Sequence, residues 1–471
     1  MFRLTFALAI IGIAVATTAS ADQPNILLIM ADDVGIEGLG CYGGQSYRTP
    51  NLDRMAMEGM RFSNAYAQPL CTPTRVQLMT GKYNHRNWRS FGILDPNERT
   101  FGHALSTVGY ATGIFGKWQL QSYDPPELPG AAERRGTGMH PMDSGFDEYA
   151  LFHALHTEDK GSRYANPTML EGCAGQPGTL ETYDGRYGED IWVEKILSFF
   201  DRNANQPKFV YYPMALPHWP FEPTPNSTDW NPNDVPEADV KYQKYMIEYM
   251  DTIVGRLLDG LRARETLKDT IVIFYSDNGT HLKVTSRMRD GRIIRGGKAT
   301  SQQTGIHVPL IVRWEGRIQA SVSDTIIDAS DFFPTLLELS QAPTSVDQCR
   351  TLDGISFAKT LLGKSGPQRR EAFFWYDPRP GWDKERFRRS VFAVNKTHKY
   401  FRDGRLLRLG ARPLSETLIP TDRWTSEDRS AAMRLGEKIE STMQGTKAPP
   451  LVDAYGKPTK HVPELIRSMN D

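Results

Sequence analysis

Cysteine is scarce in this chain. Its four cysteines (Cys41, Cys71, Cys173 and Cys349) form no C-x-x-C pair and no zinc-type Cys/His spacing, which excludes zinc-ribbon and disulfide-framework scaffolds. Net charge is also absent. Lys plus Arg and Asp plus Glu both number 56, so no whole-molecule field favours nucleic acid or an anionic membrane, and attraction for an anionic substrate has to be local. No internal repeat, heptad run or low-complexity tract occurs, which sets aside solenoids and coiled coils. Long apolar runs are missing too. The one at residues 4–16 is about half of the ~20 residues a membrane span needs.

That short run has the anatomy of an export signal. Arg3 precedes it, and Ala19-Ser20-Ala21 supplies an A-x-A cleavage site before Asp22. Residues 1–21 therefore read as a signal peptide, and the mature protein as periplasmic or secreted, with no membrane span after cleavage. An oxidising compartment makes Cys173 with Cys349 a candidate pair. Asn226-Ser227-Thr228 and Asn395-Lys396-Thr397 fit the glycosylation sequon.

What is present is a globular α/β pattern. The chain has 471 residues, 39% apolar and 24% charged, enough for a large domain and a smaller one. Short buried-strand runs at 25–30, 111–115, 209–216, 270–275 and 309–314 alternate with helical segments, which predicts a central, mostly parallel sheet flanked by helices over residues 22–366. The clearest helix spans 237–264, where Ile247, Met250, Val254, Leu257 and Leu261 recur at steps of three and four. Residues 120–188 are rich in Gly, Pro and charge and read as functional loops. After a turn-rich stretch at 363–369, strands at 372–376, 390–395 and 399–402, an Asp403-Gly404 hairpin and a helix at 426–443 predict a C-terminal α+β domain with a short antiparallel sheet over 367–471.

Two strand ends carry acids: 26–30 runs into Asp32-Asp33, and 271–275 runs into Asp277-Asn278. Ligands of open α/β sheets sit outside the carboxyl ends of the strands. Carboxylates converging there repel unless a cation lies between them, and all-oxygen donors suit calcium, then magnesium, rather than zinc. Singly, Asp32-Asp33 reads equally as a helix cap and Asp277-Asn278 as a turn; their joint placement favours the metal. Between them, Cys71-Thr72-Pro73-Thr74-Arg75 precedes Leu78-Met79-Thr80-Gly81. Pro73 suits a first helical turn and Gly81 a stop, which puts Cys71 at a helix N-terminus, where the dipole favours an anionic attacking atom.

The string C-x-P-x-R with its downstream L-x-T-G resembles the sulfatase signature, within the alkaline-phosphatase superfamily. The resemblance extends over most of residues 24–340. It includes Pro24-Asn25-Ile26-Leu27, Thr49-Pro50-Asn51-Leu52-Asp53, Gly109-Tyr110-Ala111-Thr112, Gly116-Lys117-Trp118, Gly145-Phe146-Asp147, Pro217-His218, Gly297-Lys298, Asp331 and Pro334-Thr335-Leu336-Leu337, all in family order. It implies that a maturation enzyme oxidises Cys71 to formylglycine (3-oxoalanine). It further implies a calcium site from Asp32, Asp33, Asp277 and Asn278 that residue 71 also faces, and a sulfate held by Lys117 and Lys298. Arg75 would stabilise the formylglycine, and a protonated His218 would protonate the departing alcohol. The implied activity is sulfuric-ester hydrolysis by an exported enzyme, on a carbohydrate sulfate in preference to an aryl sulfate. Phosphate or phosphonate monoester hydrolysis is the alternative within the superfamily, and a non-catalytic binder of sulfated glycans the alternative outside it.

One position departs from the family pattern. Many members have histidine two residues after the second-signature lysine, where this chain has Gln119, which can hydrogen-bond but cannot take a proton at neutral pH. His307 is a weak substitute. His153 and His156 read as surface or substrate contacts, and the basic run 384–389 as a solvated face. Gln119→His is expected to leave activity intact or higher. A large loss of burst-phase turnover in that variant would show that Gln119 has a role of its own.

Overall fold

Apolar runs too short to be helices become the middle of one sheet. The computed structural model describes residues 23–121, 124–341, 351–384, 386–445, 450, 452, 457 and 458. The signal peptide read at 1–21 and Cys349 of the candidate pair lie outside the described residues. The N-terminal part contains strands β1 (Asn25–Ala31), β2 (Met60–Tyr66), β3 (Ala111–Lys117), β4 (Glu148–Phe152), β5 (Thr168–Cys173) and β6 (Thr179–Thr182). These are followed by β7 (Lys208–Pro213), β8 (Thr270–Ser276), the small hairpin β9 (Thr285–Arg287) and β10 (Ile293–Arg295), then β11 (Leu310–Arg313) and β12 (Ser321–Asp328). Ten of them form one sheet in the order β12-β2-β11-β8-β1-β7-β3-β4-β5-β6.

The centre, β8-β1-β7-β3-β4, is parallel throughout. Its inner strands β1, β7 and β8 are buried at every residue, as parallel strands covered on both faces must be. Outside this block β11 runs antiparallel to β8 and β2, β5 antiparallel to β4 and β6, and β12 parallel to β2. The sheet is mixed, with its parallel block where the functional strand ends lie.

Alternation along each strand divides the core in two. Leu28, Met30, Tyr211 and Ile273 pack against the helices Cys71–Thr80, Phe101–Ser106 and Phe332–Leu339. Leu27, Ile29, Val210 and Phe274 face the helices Pro50–Glu58, Gly188–Arg202 and Gln243–Ala263. Each large side chain so buried contributes about 1.5–3 kcal/mol.

The helix expected at 237–264 begins at Gln243, because Asp239 is extended and caps a 3-10 turn at Val240–Tyr242 while its N–H bonds Phe221 O. The stretch 120–188, read as loops, contributes β4, β5 and β6 as well. The edge strand β6 is exposed at every residue, so no apolar pattern marks it.

The C-terminal sheet has the order β13 (Ala372–Tyr376), β14 (Ser390–Val394), β15 (His398–Phe401), β16 (Leu406–Leu409) and β17 (Glu416–Ile419), antiparallel throughout. Gly404, at φ +94°, makes the β15–β16 turn. The helix Ser426–Met443 covers this sheet with Leu435 and Ile439. Phe373 and Trp375 share a core with Leu70, Cys71, Tyr83, Trp88 and Phe91, so the small sheet packs directly behind the helix that starts at Cys71.

Leu257 is fully buried on the Gln243–Ala263 helix. Leu257→Ala is expected to cost about 2–5 kcal/mol in urea unfolding followed by circular dichroism; a loss below about 1 kcal/mol would contradict the packing described.

Candidate active site

Strand register brings the acids together. Ala31 of β1 pairs with Ser276 of β8, so Asp32 and Asp277, the next residue in each chain direction, emerge side by side. Backbone bonds extend the pairing past the strand ends: Asp277 N–H to Ala31 O at 3.1 Å and Asp32 N–H to Leu216 O at 2.9 Å. The same register places Lys117. Ile114 pairs with Tyr211, and Tyr211 with Leu28, so three residues further on Lys117 stands level with Ala31. Gly116 allows this approach: at φ +134°, a Cβ there would lie 2.0 Å from Pro213 O. Gly279 does the same after Asn278, where a Cβ would lie 1.9 Å from Thr304 O.

Asp32, Asp33, Asp277 and Asn278 are all fully buried. Lys117 Nζ is 2.6 Å from Asp32 Oδ2, Lys298 Nζ is 2.6 Å from Asp33 Oδ2, and Arg75 Nη2 is 2.8 Å from Asp277 Oδ2. Asn278 Nδ2 donates to Asp33 Oδ1 at 2.8 Å, and the Asp33 N–H to Asp277 Oδ1 at 3.2 Å. Burial works against the Asp32 carboxylate, but Lys117 and Arg75 outweigh it and hold its pKa below the ordinary value. Burial, then the Asp32 charge alongside, push Asp277 up. Arg75 also donates to Lys117 O at 3.3 Å, so its guanidinium ties Asp277 to β3, while one helical turn links it to residue 71.

Two buried oxygens in this cluster have no hydrogen-bond partner: Asp32 Oδ1 and Asn278 Oδ1. Orphaned hard oxygens among carboxylates fit a hard divalent cation. The set whose ligand atoms lie mutually within 4.8 Å is Asp32, Asp33 and His218. Asp277, whose oxygens are engaged by Arg75 and the Asp33 N–H, and Cys71 fall outside that set. The expected residues are thus gathered in one place, with His218 nearer the carboxylates than the sequence suggested.

Cys71 opens the helix Cys71–Thr80 and is buried. Leu70 precedes it in extended conformation without a side-chain cap, and Gly81 ends the helix in the left-handed region. Pro73 takes the third helical position, still in the turn where N–H groups lack partners. Thr74 Oγ1 donates to Asp277 O at 2.6 Å, clamping the helix to the end of β8. Cys71 lines a cavity of 810 Å³ with Gln119, His153, Arg163, His218 and Lys298. Lys117 is absent from that lining and nearly fully buried, so it lies beneath the floor instead of presenting its ammonium to the cavity.

His218 Nδ1 lies between Trp219 O, which can only accept, and Arg163 Nη1, which can only donate. Burial, then Lys298, Lys117 and Arg163, drive its pKa well below the ordinary value. The protonated His218 expected in the substrate complex therefore requires the anionic ester, because three cations crowd the ring in the free protein. His153 is similarly lowered, by burial and then Arg163.

His307 takes no part in the cavity; its Nε2 contacts Ser63 O at 2.9 Å and its ring lies on Tyr66. His153, read from the sequence as a surface or substrate contact, lines the cavity, and Gln119 N–H bonds its carbonyl at 3.1 Å. Gln119 Oε1 is buried without a partner. Arg163 went unnoticed in a tract without periodicity, yet it reaches both His153 Nε2 (3.4 Å) and His218 Nδ1 (3.3 Å). The solvated face expected at 384–389 is also corrected: Lys384 and Phe387 are buried, and both line the cavity with Arg386.

The family model described as Sulfatase matches residues 24–342. Human arylsulfatase A is 31% identical over 422 residues, covering 82% of this chain and 75% of that protein. Among solved structures, the PsFucS1 sulfatase from Pseudoalteromonas sp. superposes with a TM-score of 0.67 at 21% identity, covering 91% of this chain and 92% of that one. A protein in complex with its substrate D-glucosamine-2-N,6-O-disulfate gives 0.67 at 20% identity, covering 90% and 99%.

The orphaned oxygens predict a cation dependence. After chelation, added calcium is expected to raise the melting temperature, and Asn278→Ala to reduce that rise. No calcium-dependent shift in the unsubstituted protein would remove the cation from this site.

Proposed function

The chain belongs to the sulfatase family and is a sulfuric-ester hydrolase, and from that premise we propose that it acts through formylglycine made from Cys71, with a divalent cation, calcium in preference to magnesium, on a sulfated carbohydrate outside the cytoplasm. The observation that carries this reading is that Cys71 lines one cavity with His218 and Lys298 and its helix is clamped to the buried acid cluster.

In this reading Asp32, Asp33, Asp277 and Asn278 would hold the cation, which would supply positive charge beside the sulfate oxygens. Residue 71, as a hydrated aldehyde, supplies one hydroxyl to attack sulfur and a second whose deprotonation expels sulfate, splitting one difficult step into two. Lys298 neutralises the ester from the cavity wall and Lys117 from beneath, as charge moves on to the leaving oxygen. Arg75 keeps Asp277 and the Cys71 helix in place. His218, its ring held at Nδ1 between Trp219 O and Arg163, is positioned to pass a proton to the departing alcohol.

The carbohydrate preference draws support from the size of the cavity, 810 Å³, from the relative named for N-acetylgalactosamine-6-sulfate hydrolysis, and from the glucosamine-disulfate complex. Export draws support from the sequence at residues 1–21. Among the described residues no helix is long and apolar enough to cross a membrane.

Protein matured with a formylglycine-generating enzyme is expected to give a residue-71 peptide lighter than the cysteine form by exchange of sulfur for oxygen and loss of two hydrogens. It should release sulfate from sulfated mono- or oligosaccharides and from 4-nitrophenyl sulfate. Cys71→Ala is expected to lower kcat/KM by about 10³-fold or more. Faster turnover of 4-nitrophenyl phosphate than of the sulfate would favour the phosphoric-ester alternative, and an intact thiol in competently matured protein would favour the glycan binder.

A further inference from the structure

The cations of the cavity are not equivalent. Lys298 sits on Asp33, and Arg386 lies 2.8 Å from Asp383. Lys384 has no carboxylate within ion-pair distance among the described residues, although it is only 7% exposed. Its ammonium meets ring faces instead, 4.2 Å from the centroid of Phe91 and 5.9 Å from that of Phe387. Such contacts return only part of what an ammonium loses on leaving water. Burial lowers its pKa to about 8, with Lys298 and Arg386 adding to the effect while Asp383 and Cys71 oppose it.

The position of Lys384 is built into the fold. Its N–H bonds Gly381 O at 3.2 Å, and Phe387 N–H bonds Lys384 O at 3.1 Å. The preceding turn is pinned to the N-terminal part by Phe91 N–H to Pro380 O at 2.9 Å, Trp88 Nε1 to Arg379 O at 2.8 Å and Trp382 N–H to Asp124 Oδ1 at 3.0 Å. A buried ammonium held by rings and fixed backbone, with no ion-pair partner among the described residues, is matched when a ligand brings a counter-charge. Lys384 comes from the connection between β13 and β14, whereas the acids and Lys298 come from or follow the large sheet, so the C-terminal part of the chain brings a cation of its own to the cavity.

We propose that Lys384 is the seat for a second anionic group of the substrate, a sulfate or a carboxylate carried on the same sugar unit as the sulfate that is removed. This deepens the reading above and rests on it. It makes the preferred substrate doubly anionic, with its second charge held by the C-terminal part of the chain. The Phe91 and Phe387 rings shield that contact from water, which strengthens it.

Binding tests this without turnover. Calorimetry on full-length Cys71→Ala protein would compare D-glucosamine 6-sulfate, D-glucosamine-2-N,6-O-disulfate and glucuronic acid 2-sulfate. At least one doubly anionic sugar is expected to bind about tenfold more tightly than the singly anionic one; which of them does so distinguishes sulfate from carboxylate as the second group. Adding Lys384→Met should abolish that preference, adding Lys384→Arg should retain most of it, and melting temperatures would establish that each variant is folded. Equal affinity for singly and doubly anionic sugars, or a Lys384→Met loss shared equally by both, would overturn the proposal. Absence of sulfate release by matured wild-type protein would count against the parent reading alone, because the binding preference is measured independently.

Discussion

Everything in this molecule's centre follows from the cost of gathering carboxylates in a dry place. Asp32, Asp33 and Asp277 stand together at the ends of β1 and β8, fully buried, where like charges repel strongly. The protein meets this with three cations drawn from distant parts of the chain: Lys117 from β3, Lys298 from beyond the β9–β10 hairpin, and Arg75 from the Cys71 helix. Removing any one would leave a buried charge uncompensated, so these ion pairs constrain where each element ends.

That constraint also places the nucleophile. Arg75 and Thr74 anchor the helix to Asp277, while Cys71 at the start of that helix lines the cavity. Behind it, the aromatic core of Trp88, Phe91, Phe373 and Trp375 joins the small sheet to the Cys71 helix, while Tyr66 and Ile326 with Phe374 and Phe392 join it to the large one. The C-terminal part is therefore a wall of the site as well as an appended unit: its β13–β14 connection supplies Trp382, Lys384 and Phe387 to the same cavity. Selection among sulfate esters resides in such walls, while the floor serves the chemistry common to them.

The imidazoles show how the surroundings alter a role assigned by residue type. His218 is surrounded by Lys298, Lys117 and Arg163, which together with burial keep it neutral in the free protein. An anionic ester seated among the same cations offsets them, so the ring's proton affinity is coupled to substrate binding. Gln119, its backbone N–H on His153 O and its amide oxygen buried without a partner, cannot carry the proton that a histidine there would.

The sequence by itself determined the strand cores, the ordered motifs, the helix opening at Cys71 and the C-terminal helix at 426–443, because these depend on local periodicity, capping and short spacing. It could not register β6, whose residues are all exposed, or the start of the helix at Gln243, which a distant backbone bond to Phe221 sets. Nor could it show that Arg163 lies between two imidazoles, that Lys117 is beneath the floor, or that Lys384 is buried on Phe91. Those facts were decided by tertiary structure alone, since each arises when register and packing bring together residues that no local periodicity links, from Arg163 and His153 ten positions apart to Lys384 and Phe91 almost three hundred apart.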